Sequence, residues 1–193
     1  MFTEDYLMRI INQAFAALMI AIGLRKAGKY SEAQQAIQQA IEQLTTLPAN
    51  IVDQMEDSSI LSMLAAQGQL DVGRLAILAD IYQEQGELFS GQDQAAQSQT
   101  AFARALRFIL EVVLSEADNL STNNIGKVAF LVQRLEGYPL PAETQLVLSD
   151  HYLRLLDKDD QSLVAAGTSR QKVSHALAAL QAHLGPGKAP AGE

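Results

Sequence analysis

The side chains best suited to bind a metal or move a proton near neutral pH are three histidines and two acidic runs. The histidines are His151, His175 and His183; the acidic residues are Asp53, Glu56 and Asp57, then Asp157, Asp159 and Asp160. A helical zinc hydrolase needs two histidines four apart with a glutamate between them, and no histidine here has such a partner. His151 follows Asp150, but neighbours on a helix point about 100° apart, so the two make a poor ligand pair. Single histidines of this kind read as packed or surface residues. The run 157–160 lacks the glycine at the sixth loop position and the glutamate at the twelfth that an EF-hand requires, so it reads as a solvated turn. Asp53, Glu56 and Asp57 read as loop and helix-capping acids. The chain has no cysteine, which removes disulfides, thiolate metal sites and a cysteine nucleophile. It also lacks a Gly-x-Ser-x-Gly elbow, a phosphate-cradling loop and a dinucleotide fingerprint. The sequence thus points to no catalytic residue, no metal and no cofactor. An enzyme or small-ligand receptor would need a site assembled between helices.

Charge narrows the partners. The formal net charge is -8, with 14 Lys and Arg against 22 Asp and Glu. Nucleic-acid affinity rests on Lys and Arg displacing counterions from phosphates, so DNA or RNA binding is not expected. At 193 residues and 48% hydrophobic content, the chain can bury a sizeable core as one domain. That domain is expected over residues 1–184, with 185–193, rich in Gly, Pro and Ala, as a disordered tail.

The elements that must position any site read as helices throughout. Residues 4–25 form the first, with Leu7, Ile10, Ile11, Phe15, Leu18 and Ile22 on one stripe, and Met8, Met19 and Ile20 widening it until the second half is apolar nearly all round. Such a helix must be covered on two sides, by the rest of the chain or by another chain. Its uninterrupted apolar run, residues 14–24, is shorter than the roughly 20 residues that span a bilayer. Acidic residues precede the run, unlike a secretory signal, so a cytoplasmic location with no membrane span is expected. Ser31 to Gln34 and Thr168 to Gln171 have the spacing of capping boxes. A short helix over 57–67 should end at Gly68, residues 121–124 read as a turn, and Pro141 suits the first position of a helix. No strand pattern is present, and the expected fold is all-α.

One stretch is more specific. In residues 75–106, Leu75, Leu78, Ala79 and Tyr82 share a helix stripe, Gly86 should end that helix, a polar loop over 89–93 follows, and Phe102, Ala105, Leu106 and Ile109 form the facing stripe. This resembles a tetratricopeptide helical hairpin. Gly28, Tyr30, Ala33, Ile37, Ala40 and Ile41 resemble a second such unit, and Leu146, Leu148, Ser149, Tyr152 and Leu156 echo it weakly. The glycines at 28 and 86 are spaced well beyond the roughly 34-residue period of a regular array. The expectation is therefore an irregular array of about three antiparallel hairpins. The opening Met1-Phe2-Thr3-Glu4-Asp5-Tyr6-Leu7-Met8-Arg9 also resembles the start of a family of uncharacterised bacterial proteins.

The tetratricopeptide resemblance implies a binding or assembly module whose groove would be lined by Ala76, Asp80 and Gln83 from the central hairpin and by Leu146, Asp150 and Leu153 from the last. Members that clamp a peptide carboxylate place Lys and Asn there. Here the positions are acidic or apolar, which implies a basic or apolar helical protein or peptide partner. Phe15, Leu18, Met19 and Ile22 are the residues expected at a homodimer contact, with coverage by residues 57–67 or by the last hairpin as the competing account. The helix pairing carries its own test. Ala79→Leu should overpack the central hairpin and lower stability by about 1–3 kcal/mol, and a thermal melt matching the parent would contradict the pairing.

Overall fold

The computed structural model describes residues 2–66, 69–115, 122–165 and 167–184. The fold is all-α. Among these residues ten helices run in order: α1 Phe2–Lys26, α2 Tyr30–Thr45, α3 Ala49–Gln54, α4 Asp57–Met63, α5 Val72–Ser90, α6 Ala95–Ser115, α7 Thr122–Arg134, α8 Ala142–Leu156, α9 Asp160–Ala165 and α10 Arg170–Leu184. Three antiparallel pairs dominate the packing: α1 with α2, α5 with α6, and α8 with α10. α5 also packs on α1 and α2, and α6 on α7 and α8, so the central pair joins the outer two.

The α1–α2 pair closes as the glycine spacing predicts. Gly28 adopts φ +73°. Lys29 N–H donates to the Leu24 carbonyl at 2.9 Å and Gly28 N–H to that of Arg25 at 2.9 Å. Both bonds of a left-handed helix stop are thereby formed, on carbonyls the helix itself leaves without partners. α2 starts at Tyr30 and its end cap is Lys29, with no side-chain cap bond, so Ser31 lies inside the first turn instead of capping it.

Gly86 behaves differently from the expectation. α5 runs on to Ser90, with Gly86 buried in its interior. The ring of Phe102 lies so close that a Cβ on residue 86 would stand 2.6 Å from two of its carbons. Ser98 Oγ also donates to the Gly86 carbonyl at 2.8 Å. The glycine is there for close approach of two helices, a reason indistinguishable in sequence from a helix stop. The true connection is residues 91–94, shorter than the loop read from the sequence. The core centres on this pair: Tyr82 meets Phe108 edge-on at 5.8 Å, and Phe102 meets Phe130 at 6.5 Å. The Arg134 guanidinium lies 5.1 Å from the Phe102 ring centre.

Five further helices differ from the sequence reading. α4 stops at Met63, and Ala65–Ala66 pairs antiparallel with Gln69–Leu70, a two-residue ladder too short to carry an alternating pattern. Gln67 and Gly68 lie outside the described residues. α7 already includes Thr122. Pro141 is the cap of α8 and not its first residue. The acidic run 157–160 opens a helix, α9, because Asp159 accepts from Ser162 N–H at 2.9 Å and from Ser162 Oγ at 2.8 Å. Those bonds hold the Asp159 carboxyl below its ordinary range. α10 is capped by Ser169, one residue after the expected Thr168. α9 and α10 carry a small second core of Leu163 and Val173, shared with Ile125 and Leu155. The expected tail, 185–193, lies outside the described residues.

The Phe102–Gly86 contact has a sign that separates it from propensity. In an exposed helix interior Gly→Ala gains up to about 1 kcal/mol. Gly86→Ala should instead lower stability by about 1–3 kcal/mol, because Phe102 is backed by Phe130 and Arg134 and has little room to withdraw. Urea unfolding of the variant reads the sign directly.

Candidate functional site

The densest polar constellation gathers around Arg104, in the middle of α6. Its Nε donates to Asp57 Oδ1 at 2.8 Å, and its Nη2 to the Met55 carbonyl at 2.7 Å. Its Nη1 reaches the Asp53 carbonyl at 3.3 Å, the Val52 carbonyl at 3.4 Å and Tyr82 Oη at 3.3 Å. The guanidinium also sits 5.2 Å from the centre of the Tyr82 ring. Tyr82 Oη donates to Asp53 Oδ1 at 3.0 Å. One side chain thus closes the end of α3, holds the start of α4 and joins both to the central pair.

Burial sets the electrostatics of this cluster. It raises the carboxyls of Asp53 and Asp57 above their ordinary values, against the pull of Tyr82 and Arg104. It also raises the Tyr82 phenol. For Arg104 burial works against the charge, but Tyr82 and Asp57 outweigh it and its pKa lies above the ordinary value. The guanidinium's donors are directed at acceptors within the chain, so the cluster is built to hold elements together.

Two open clefts flank Arg104. One, of about 290 Å³, is lined by Asp53, Tyr82, Gln85, Phe89, Thr100 and Arg104 among others. The other, of about 440 Å³, is lined by Glu56, Asp57, Arg104, Arg107, Glu143 and Thr144 among others. Among the described residues, no three His, Asp or Glu side chains gather closely enough to hold a metal ion.

The groove residues read from the sequence fall into two unlike sets. Ala76, Asp80 and Gln83 are half-buried on α5, and Asp80 accepts from Lys127 Nζ of α7 at 2.6 Å. Leu146, Asp150 and Leu153 are exposed, and with the equally exposed Glu143 their spacing of three and four makes one stripe along α8. α5 and α8 do not pack as a pair, and α6 lies in contact with both. The stripe begins at Glu143, in the wall of the larger cleft.

On α1 the expected contact residues also divide. Leu18 is 3% exposed and belongs to the chain's own core, whereas Phe15 and Met19 are 47% and 50% exposed and Ile22 is half-buried. Ile20 is 59% exposed. Among the described residues α1 packs chiefly on α2 and α5. By length and composition the segment Asp5–Lys26 could cross a membrane, which the short apolar run did not suggest; 28% of its most apolar window is buried in the fold.

Sequence reasoning did not find the Arg104 cluster. The available signal is an arginine flanked by Ala103 and Ala105 within the apolar stretch 101–106, which marks a cation close to the core that needs acceptors. No family model matches this chain, and no curated protein or solved structure matches it.

His151 is 1% exposed, and its Nδ1 has no hydrogen-bond partner. Burial first, then the charge of Arg154, lowers its pKa to about 4. Between that value and the unfolded value near 6.5, the unfolded chain takes up a proton that the folded chain refuses, so this residue reduces stability as pH falls through the window. His151→Leu should lose about 2 kcal/mol less than the parent between pH 7 and pH 5. Asp53 and Asp57 contribute with the opposite sign, equally in both proteins. Urea titrations of the pair at the two pH values measure the difference.

Proposed function

We propose that this chain is a non-catalytic protein-binding module of tetratricopeptide-like helical hairpins, acting in the cytoplasm. Its partner presents a helical segment with basic and apolar residues on one face. The observation that carries this is the α8 stripe. Glu143, Leu146, Asp150 and Leu153 alternate acid and leucine along one exposed face of a helix held from behind by α6 and α10. A helix laid along it would bury the two leucines and meet two carboxylates.

The internal use of the cations supports the same reading. Arg25 pairs with the buried Glu84 at 2.5 Å, Lys127 with Asp80, Arg134 with Glu87 and Arg104 with Asp57. On α8 itself Arg154, four residues after Asp150, donates to the Leu114 carbonyl, while Glu143 and Asp150 stand exposed. The Asp80 arm of the groove is already engaged by Lys127, so the reading rests on the α8 arm. A second reading, a small-ligand receptor, draws on the cleft of about 290 Å³ over the Tyr82 ring.

The probe is a fluorescent, amphipathic peptide of alternating Lys and Leu faces, titrated by anisotropy at two salt concentrations. Glu143→Gln with Asp150→Asn should weaken binding about tenfold and flatten its salt dependence, and Leu146→Ala with Leu153→Ala should weaken it without changing the salt slope. Unchanged affinity in both variants would remove α8 from the site. Protection of Tyr82 fluorescence by a small molecule, with no peptide binding, would favour the receptor.

A further inference from the structure

We propose that two copies of this chain associate through the outward face of α1, packed antiparallel about a two-fold axis that passes near Ala16. This is independent of the α8 surface and of the partner assigned to it. The face consists of Met8, Asn12, Phe15, Ala16 and Met19, all exposed, with Ile20 at its margin. Their spacing of three and four makes a continuous stripe, and among the described residues α4 and the last hairpin make their main contacts elsewhere.

The ends of the stripe say what covers it. Asp5 stands exposed at the N-terminal end, and Lys26 stands exposed at the C-terminal end. A second α1 running the opposite way places each Asp5 beside the other copy's Lys26. The point midway between these residues lies at Phe15 and Ala16, the centre of the apolar stretch. An isologous contact needs this self-complementarity, with residue i meeting j and j meeting i. A parallel pair would set Asp5 against Asp5 and Lys26 against Lys26. Antiparallel packing also aligns the positive end of each helix dipole with the negative end of the other.

A bilayer fits the face less well. Asn12 sits within the stripe, a polar position that helix pairs use to fix register and orientation. Asp5 and Asn12 oppose insertion, and a lipid-surface helix needs a richer basic margin than Arg9 and Lys26 supply. On the other side, Ala14, Ala17 and Ala21 are buried in the chain's own core, which holds the helix to the body.

Sedimentation of the full chain from 1 to 100 µM should show a monomer–dimer equilibrium. Phe15→Glu with Met19→Glu should abolish it, and since both side chains are exposed the far-ultraviolet spectrum should be unchanged. Asp5→Lys and Lys26→Glu should each weaken dimerisation about tenfold, and the two together should restore it. Orientation is read with introduced cysteines, which the chain otherwise lacks. Ala16→Cys should give a disulfide-linked dimer under mild oxidation. Met8→Cys should not, because the two copies of residue 8 would stand about 22 Å apart along the axis. A parent that stays monomeric at 100 µM would overturn the proposal, as would a dimer insensitive to the glutamates or one linked through Met8→Cys. Flotation of the chain with anionic vesicles, lost in the glutamate variant and without dimer in solution, would assign the face to lipid instead.

Discussion

The end of a helix leaves four carbonyls without partners, and a protein made of short helices must satisfy that need many times over. This chain does so repeatedly with arginine from a distant helix. Arg104 reaches the carbonyls of Val52, Asp53 and Met55 at the end of α3. Arg74 Nε donates to the Leu44 carbonyl at the end of α2, Arg154 to that of Leu114 at the end of α6, and Arg170 to Leu156 and Lys158 after α8. A guanidinium suits the task because its planar fork carries five donors and its charge opposes the negative end of the helix dipole. Each such bond also fixes where the donor's own helix lies. The interaction that closes one helix is therefore the interaction that orients the next, and three antiparallel pairs become one arrangement.

This explains which parts of the structure could be read from the sequence. Helical period shows that a face is apolar, so the pairs α1–α2, α5–α6 and α8–α10 follow from it, as does the Gly28 stop, where a local turn has a local signature. Contacts between distant residues leave no such period. Gly86 has the look of a helix stop, and only the ring of Phe102 above it gives the actual reason. The acids 157–160 read as a turn because an acidic run looks alike whether it is solvated or, as with Asp159 and the N–H and hydroxyl of Ser162, caps a helix. The two-residue pairing of Ala65–Ala66 with Gln69–Leu70 is shorter than any alternation could be. Arg104 was invisible as an organiser because its acceptors are mainly backbone carbonyls, which every residue carries.

The same arrangement bears on the candidate surfaces. The resemblance treated Asp80 and Asp150 as equivalent positions on two hairpins, yet their surroundings are unlike. α7 packs on α6 and brings Lys127 to Asp80, while the partner of α8, α10, lies on the side away from the stripe and leaves Asp150 exposed. Equivalent positions in a repeat stay equivalent only while each repeat has the same neighbour. An irregular array breaks that condition, and Asp80 is engaged by the chain's own Lys127.

α1 is the strongest case of sequence pattern and burial pulling apart. An ordinary surface helix turns its large apolar residues inward. Here alanines at 14, 17 and 21 face the core with Ile10 and Leu18, while Phe15, Met19 and Ile20 face out. Small residues let α2 and α5 approach the α1 backbone closely, which favours dispersion contacts over a long line. Once α1 is held that way, Phe15, Met19 and Ile20 point away from the core. Turning the helix to bury Phe15 and Met19 would push its neighbours apart and open voids beside the alanines, at a cost that close-packed interiors do not tolerate. The exposed face is thus a consequence of how tightly the opposite face is packed, and its apolar centre between Asp5 and Lys26 is fixed by the same helix that the core fixes.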